Sequence, residues 1–290
     1  TIGGMLAATW VQIIKAALLL TLVVVIALLA VWQAGGIGAL YDQAAAISPR
    51  GEALFVPGAS ETSLFSSVSL AFGMAIGMLG LPHLLVRLFT VPDERAAQSS
   101  VMVATTIIGF VFLLLFAIVG PAAVAFVKGN PLFTTADGGI VGGANITSVH
   151  LAEALGGPVL MGITSAVAFA TLLAVVAGLV MASASAAAHD LFAIARCGKP
   201  LDEKLELRVF RLAAGGVGLV AVLLAILFQH QNVAFLSALA FAVAASANVP
   251  VLLLILYWRS VTVAGALAGG LSGLASSVAL IVLGPSVWVK

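Results

Sequence analysis

Charged residues divide this chain into long apolar runs. Charge-free stretches of at least 25 residues recur along it, whereas a helix needs about 20 residues to span a hydrocarbon core roughly 30 Å thick. The longest stretch, 212–258, is interrupted by polar residues 229–232 and is interpreted as two helices. The pattern predicts an all-α, polytopic membrane protein with seven transmembrane helices, in a single transmembrane domain: 11–32, 64–90, 99–127, 157–187, 209–228, 233–257 and 261–287.

Composition narrows the class of protein. Of 290 residues, 62% are hydrophobic and 8% charged, against about 45–50% and 25% in soluble domains. This excludes a soluble enzyme, and no catalytic motif is present. A net charge of +1 excludes nucleic-acid binding as the main activity, because that requires a basic surface. One cysteine excludes a disulfide framework or a cysteine-built metal site.

Orientation follows from the distribution of Lys and Arg. Nine of these residues lie on one side of the predicted spans and three on the other. By the positive-inside rule the richer side is cytoplasmic, so the first helix begins in the cytoplasm. The outer loop 33–62 is predicted to hold a short interfacial helix around 38–47, and the outer loop 128–149 to be irregular.

The second predicted span contains the most informative segment. Gly73, Gly77 and Gly80 precede Pro82 in the apolar run. Proline removes a backbone donor and glycine favours unwinding, so the helix is predicted to break here and leave main-chain groups for a solute or ion. The amides near Leu81 would then face a carboxylate. The alternative is a glycine face for close helix packing, with a proline kink.

Other polar positions within the spans have two interpretations each. His83 and Arg87 share one helix face, either as a functional pair or as a neutral histidine and a lipid anchor. Hydroxyl residues of the fourth span, Thr171 among them, either complete a cation site or bond to the preceding turn. Ser246, Asn248 and Pro250 form a second polar, proline-broken point, and paired interruptions are typical of transporter sites.

Several segments resemble bacterial cation/acetate symporters of the solute:sodium symporter family. The similarity extends over essentially the whole chain, through residues 3–10, 80–91, 149–152, 165–178, 185, 189–191, 231–235 and 284–285. The resemblance implies a LeuT-type fold of two inverted five-helix repeats. Of these the chain would supply the last helix of the first repeat, all five of the second and one more. The N-terminal helices of the full protein would be missing, so this chain should not transport by itself. The resemblance places the family's discontinuous helix at residues 77–83.

Two positions depart from the family pattern. Sodium-coupled relatives typically have two adjacent hydroxyl residues on the fourth span, where this chain has Ala174 and Val175, and often an acidic residue where it has Gln12. Ala and Val offer no side-chain oxygen to a hard cation. Proton coupling through His83 is therefore a second hypothesis beside sodium coupling.

The resulting expectation is a symporter for acetate or a related short monocarboxylate, with co-transported Na⁺ or H⁺ and no resident cofactor or metal. Gly77, Gly80 and Leu81 would contact the solute, His83 would gate or carry a proton, and Arg87 would anchor the cytoplasmic end. The cation pathway would involve Thr171, Ala174, Val175 and Gln12. We expect a bacterial inner-membrane protein with a cytoplasmic N-terminal end. The alternative is a non-transporting accessory subunit of a membrane complex. A channel is the weaker hypothesis, because the sequence contains no selectivity-filter motif.

Overall fold

The computed structural model describes residues 4–56, 64–81, 91–187, 203–229 and 231–284. Over these residues the protein is all-helical, without a strand beyond one isolated bridge between Thr134 and Ile140. The helices are α1 (Gly4–Ala34), α2 (Ile37–Ile47), α3 (Leu64–Leu79), α4 (Glu94–Lys128), α5 (Thr147–Ala186), α6 (Glu203–Leu227), α7 (Val233–Ala247), α8 (Val249–Tyr257) and α9 (Val263–Leu283).

Six helical segments within the described ranges are long and apolar enough to cross a bilayer. They are Trp10–Ala34, Glu94–Lys128, Ala144–Ala186, Leu207–Leu227, Val233–Tyr257 and Val263–Leu283. They agree with six of the seven predicted spans and show a multi-pass membrane protein. The remaining span, 64–90, is described only as far as Leu81, and its helix α3 has 16 residues. The count of seven, like the LeuT-type arrangement, stays a prediction.

Prolines and glycines determine where the long helices deviate. α5 begins at Thr147, ten residues before the predicted start of its span, because it contains two helical segments joined at Gly157 (φ 64°, ψ −162°), directly before Pro158. The expectation of an irregular loop through residue 149 is wrong for its last three residues. The short helix predicted around 38–47 is observed as α2, and its interfacial position stays a prediction. At the predicted proline-broken point, α7 ends at Ala247 and α8 begins at Val249, but Asn248 between them keeps helical angles (φ −95°, ψ −41°), so the interruption is a single residue within the helical segment Val233–Tyr257.

The described residues belong to two compact units. The first comprises Thr1–Glu52 and Met102–His230, and the second comprises Ala53–Val101 and Gln231–Lys290. The prediction of a single transmembrane domain stays a prediction. The apolar core of the first unit includes Ala30 of α1, Leu40 of α2 and Leu151 of α5, each with no exposed surface.

Helix interruptions in the first unit are satisfied by side chains of other helices. Pro121 has no amide proton for the carbonyl of Ala117 four residues earlier, and the Tyr41 hydroxyl donates to that oxygen at 2.9 Å. α4 is π-helical over Leu115–Val119 at this point. Before the Gly157 kink, the carbonyl of Leu155 accepts a hydrogen bond of 2.6 Å from Gln33 Nε2. Within a bilayer such carbonyls need partners from the protein.

Candidate solute-binding site

The described part of the second predicted span ends as a helix C-terminus. α3 stops at Leu79, and the backbone amides of the next two residues each donate a hydrogen bond to the carbonyl three residues earlier. Gly80 N–H donates to the Gly77 carbonyl at 3.0 Å and Leu81 N–H to the Met78 carbonyl at 3.4 Å. Such bonds tighten the last turn of a helix, and Pro82 has no amide proton with which to continue the helical hydrogen-bond pattern. The regular helix therefore ends inside the predicted span.

The carbonyl at this end is held by the second interruption of the chain. Asn248 Nδ2 donates a hydrogen bond of 2.7 Å to Gly80 O, across 168 residues of sequence. Both residues belong to the second unit. The end of α3 and the proline-associated point at Asn248, both singled out in the sequence, are thus in direct contact. The sequence predicted a pair of interruptions, but only the tertiary structure shows the hydrogen bond that joins them.

The glycines before the break pack against the backbone of α7. A Cβ placed on Gly77 would collide with the carbonyl of Phe241, and one on Gly80 would lie 2.5 Å from the carbonyl oxygen of Ala244. A Cβ on Gly73 would meet nothing within 4 Å. The two interpretations of this segment are therefore compatible: Gly77 and Gly80 allow close helix packing, and the helix ends directly after them.

The geometry limits which groups of this end are available to a ligand. The amide protons of Gly80 and Leu81 are already donated within the chain, so a carboxylate would have to displace those bonds. The carbonyl end of a helix carries partial negative charge and favours cations or hydrogen-bond donors. His83 and Arg87 lie outside the described residues. The carboxylate contacts suggested for Gly77, Gly80 and Leu81 stay a prediction.

The predicted cation residues lie in the first unit. Thr171 Oγ1 is buried without a hydrogen-bond partner among the described residues. By contrast, Thr164 donates to the Leu160 carbonyl and Ser165 to the Met161 carbonyl, both at 2.8 Å. The back-bonding interpretation therefore holds for Thr164 and Ser165 but not for Thr171.

The neighbours of Thr171 differ in exposure. Ala174 is half-buried and lies one turn from Thr171 on the same face, whereas Val175 has 44% of its surface exposed. Gln12 is half-buried on α1.

In the described parts of the chain, no cluster of three or more His, Cys, Asp or Glu side chains could hold a metal ion. Thr171 is thus the residue of this group whose side-chain oxygen is buried without a hydrogen-bond partner among the described residues, and the cation role of the group stays a prediction.

Comparison with known proteins supplies the family. No solved structure matches the chain. A model of the sodium:solute symporter family matches residues 1–273 of the 290. This is a family of transporters rather than enzymes, and membership implies sodium-coupled solute transport across a lipid membrane. The match agrees with the six apolar helices, and we conclude that the chain belongs to the sodium:solute symporter family.

Proposed function

We propose that the protein is a symporter for acetate or a related short monocarboxylate, coupled to sodium. The observation that carries the proposal is the end of α3 inside its predicted span, where Asn248 holds the Gly80 carbonyl. Transporters of this kind bind solutes at interrupted helices near the middle of the bilayer. The resemblance of residues 80–91 to cation/acetate symporters supports the choice of solute, and family membership supports sodium.

Thr171 is the proposed contribution of this chain to the cation pathway. A hydroxyl oxygen is a suitable ligand for a hard cation, and a buried hydroxyl without a partner is costly unless something binds it. Its orphan oxygen therefore supports a role for Thr171 that the back-bonded Thr164 and Ser165 do not share.

Proton coupling is a second candidate. Ala174 and Val175 supply no side-chain oxygen where sodium-coupled relatives typically have hydroxyls, and His83 would be the titrating group. The alternative for His83 is a purely structural role, as a neutral side chain hydrogen-bonded to a backbone carbonyl. Under the proton hypothesis a His83→Ala substitution abolishes proton-driven uptake while leaving membrane insertion intact.

The test is labelled acetate uptake by the intact protein in liposomes, with each gradient imposed alone. We expect an inward sodium gradient at equal pH to drive saturable accumulation that propionate inhibits and glucose does not. Acetic acid crosses bilayers as the neutral acid, so protein-free liposomes must be subtracted in the pH-gradient arm. Accumulation driven only by the proton gradient would favour the second candidate. Uptake no faster than in protein-free liposomes, under either gradient, would contradict transport and favour the accessory-subunit alternative.

A further inference from the structure

Among the described residues, the side chains of Tyr41, Gln33 and Asn248 donate to carbonyls next to helix kinks or ends, and Asn248 differs from the other two. Tyr41 and Gln33 donate from within α1 or α2 to kinks in α4 and α5. Asn248 is the single residue between α7 and α8, two positions before Pro250, and its amide reaches the carbonyl directly after the end of α3. This bond therefore joins the end of α3 to the α7–α8 turn.

The backbone of Asn248 is secured on both sides. Its N–H donates to the Ala244 carbonyl at 3.0 Å, and its own carbonyl accepts from Leu252 N–H at 2.9 Å. The flanking Ala247 and Val249 are buried, with 9% and 6% of their surface exposed. The side-chain amide is therefore presented to Gly80 from a well-anchored turn.

Close packing on two sides of this turn limits its movement. On one side, Gly80 is packed so tightly that a Cβ on it would lie 2.5 Å from the Ala244 carbonyl oxygen and 3.0 Å from Val249 Cγ2. On the other side, Gly273 of α9 approaches the carbonyl of Ser246 without room for a Cβ. Pro250 leaves that Ser246 carbonyl without its usual helical donor, so the close approach of Gly273 covers an otherwise open acceptor.

From this geometry we infer that Asn248 is a positioning residue of the solute site: its carboxamide fixes the interrupted end of α3 to the turn between α7 and α8. The inference rests on the proposed function, because it assigns the end of α3 to solute binding. Neither the Tyr41 nor the Gln33 bond does this, since both lie in the other unit. Loss of the Asn248 donor frees the Gly80 carbonyl and lets the segment around Leu81 move away from α7.

The movement can be measured without knowing the solute. Cys197 is the sole cysteine of this sequence, so Cys197→Ser with Leu81→Cys places one reporter thiol at the end of α3. Side-chain hydrogen bonds between membrane helices contribute modestly, so we expect Asn248→Ala to raise the rate of maleimide modification at position 81 about threefold to tenfold. Asn248→Asp, which keeps the shape but loses the amide donor, should raise the rate as Asn248→Ala does. Asn248→Gln, which keeps an amide donor, should restore most of the protection of the thiol from maleimide.

Asn232→Ala is the matched control. Asn232 caps the opposite end of α7, where its side chain accepts a hydrogen bond of 2.8 Å from Ala234 N–H. Its loss weakens the same helix by the usual effect of a missing cap and should leave the thiol rate unchanged. The inference would be overturned if the parent and all four variants were modified by maleimide at the same rate. It would also be overturned if Asn232→Ala and Asn248→Ala raised that rate equally.

Transport measurements then separate this inference from the proposed function. In the protein with Leu81 intact, we expect Asn248→Asp to raise the KM for acetate at least about threefold, with a smaller change in maximal rate. If Asn248 variants change the thiol rate but no variant, including the parent, carries acetate, the proposed solute is wrong and the positioning role stands. If the parent transports and Asn248→Asp has the parental KM and thiol rate, the positioning role is wrong.

Discussion

At the scale of single residues, Thr171 carries the one buried hydroxyl without a hydrogen-bond partner in the part of the chain that the structure describes. Serine and threonine in a helix usually donate to the carbonyl one turn earlier, which removes the cost of burial. Thr164, Ser165 and Ser237 all do so, but Thr171 Oγ1 is buried without a partner among the described residues. An unpaired buried hydroxyl destabilises the fold by about 1–3 kcal/mol, so a ligand that binds it relieves this cost.

Replacing Thr171 by valine should therefore separate stability from function. Valine keeps the shape and removes the orphan oxygen, so we expect the unfolding midpoint in detergent to stay level or rise. The sodium concentration for half-maximal uptake should increase about tenfold, the size of a lost hydrogen-bonding contact to a charged ligand. Thr171→Ser should stay near the parent, and Ser165→Ala is the control. Identical sodium dependence in Thr171→Val and Ser165→Ala would refute the role.

At the scale of helices, the glycine spacing of α3 matches the backbone of α7. Gly77 and Gly80 are three residues apart, as are Phe241 and Ala244, whose carbonyls they approach. Small residues let membrane helices come this close, where van der Waals contact contributes most of their association. The same glycines leave the end of α3 near enough for the Asn248 bond. Packing and interruption thus depend on the same positions.

Alanine at these positions provides a direct test of the packing. Gly77→Ala and Gly80→Ala place a methyl group against the backbone of α7, which cannot move without displacing the helix, and we expect each to destabilise the protein by about 1–3 kcal/mol. Gly73→Ala has open space around it and should be neutral or slightly stabilising. Denaturation in mixed micelles measures the difference. Equal effects at positions 73 and 77 would show that α3 does not pack as described.

At the scale of the whole molecule, membrane orientation remains a prediction from charge. Nine of the twelve Lys and Arg residues fall on the predicted inner side, and positively charged loops stay in the cytoplasm. The loop that carries Cys197 belongs to that side. The loop around residue 136, an exposed alanine after α4, belongs to the other.

Thiol labelling can test this orientation. A membrane-impermeant maleimide should leave Cys197 unlabelled in intact spheroplasts and label it after permeabilisation. In Cys197→Ser with Ala136→Cys, labelling should occur in intact spheroplasts. The opposite pattern in the two proteins would mean that the charge count gives the wrong orientation.

Local sequence determined much of this architecture. Six of the seven predicted apolar runs form long helices among the described residues, residues 37–47 formed the short helix expected there, and the helices deviate near Pro121, Pro158 and Pro250. These features depend on hydrophobic length and on the missing amide proton of proline, which act within a few residues. The resemblance of the motifs likewise indicated the family that the comparison with known proteins then showed.

The tertiary structure alone decided which donors reach the freed carbonyls. Gln33 bonds to a residue 122 positions away, Tyr41 to one 76 away and Asn248 to one 168 away. A proline specifies that the carbonyl four residues earlier will lack its helical donor, as for Ala117 before Pro121, but it does not specify which side chain of a neighbouring helix will satisfy that carbonyl or others near an interruption. Which donor does so depends on how the helices pack, and in this protein two glycines bring the end of α3 within reach of Asn248.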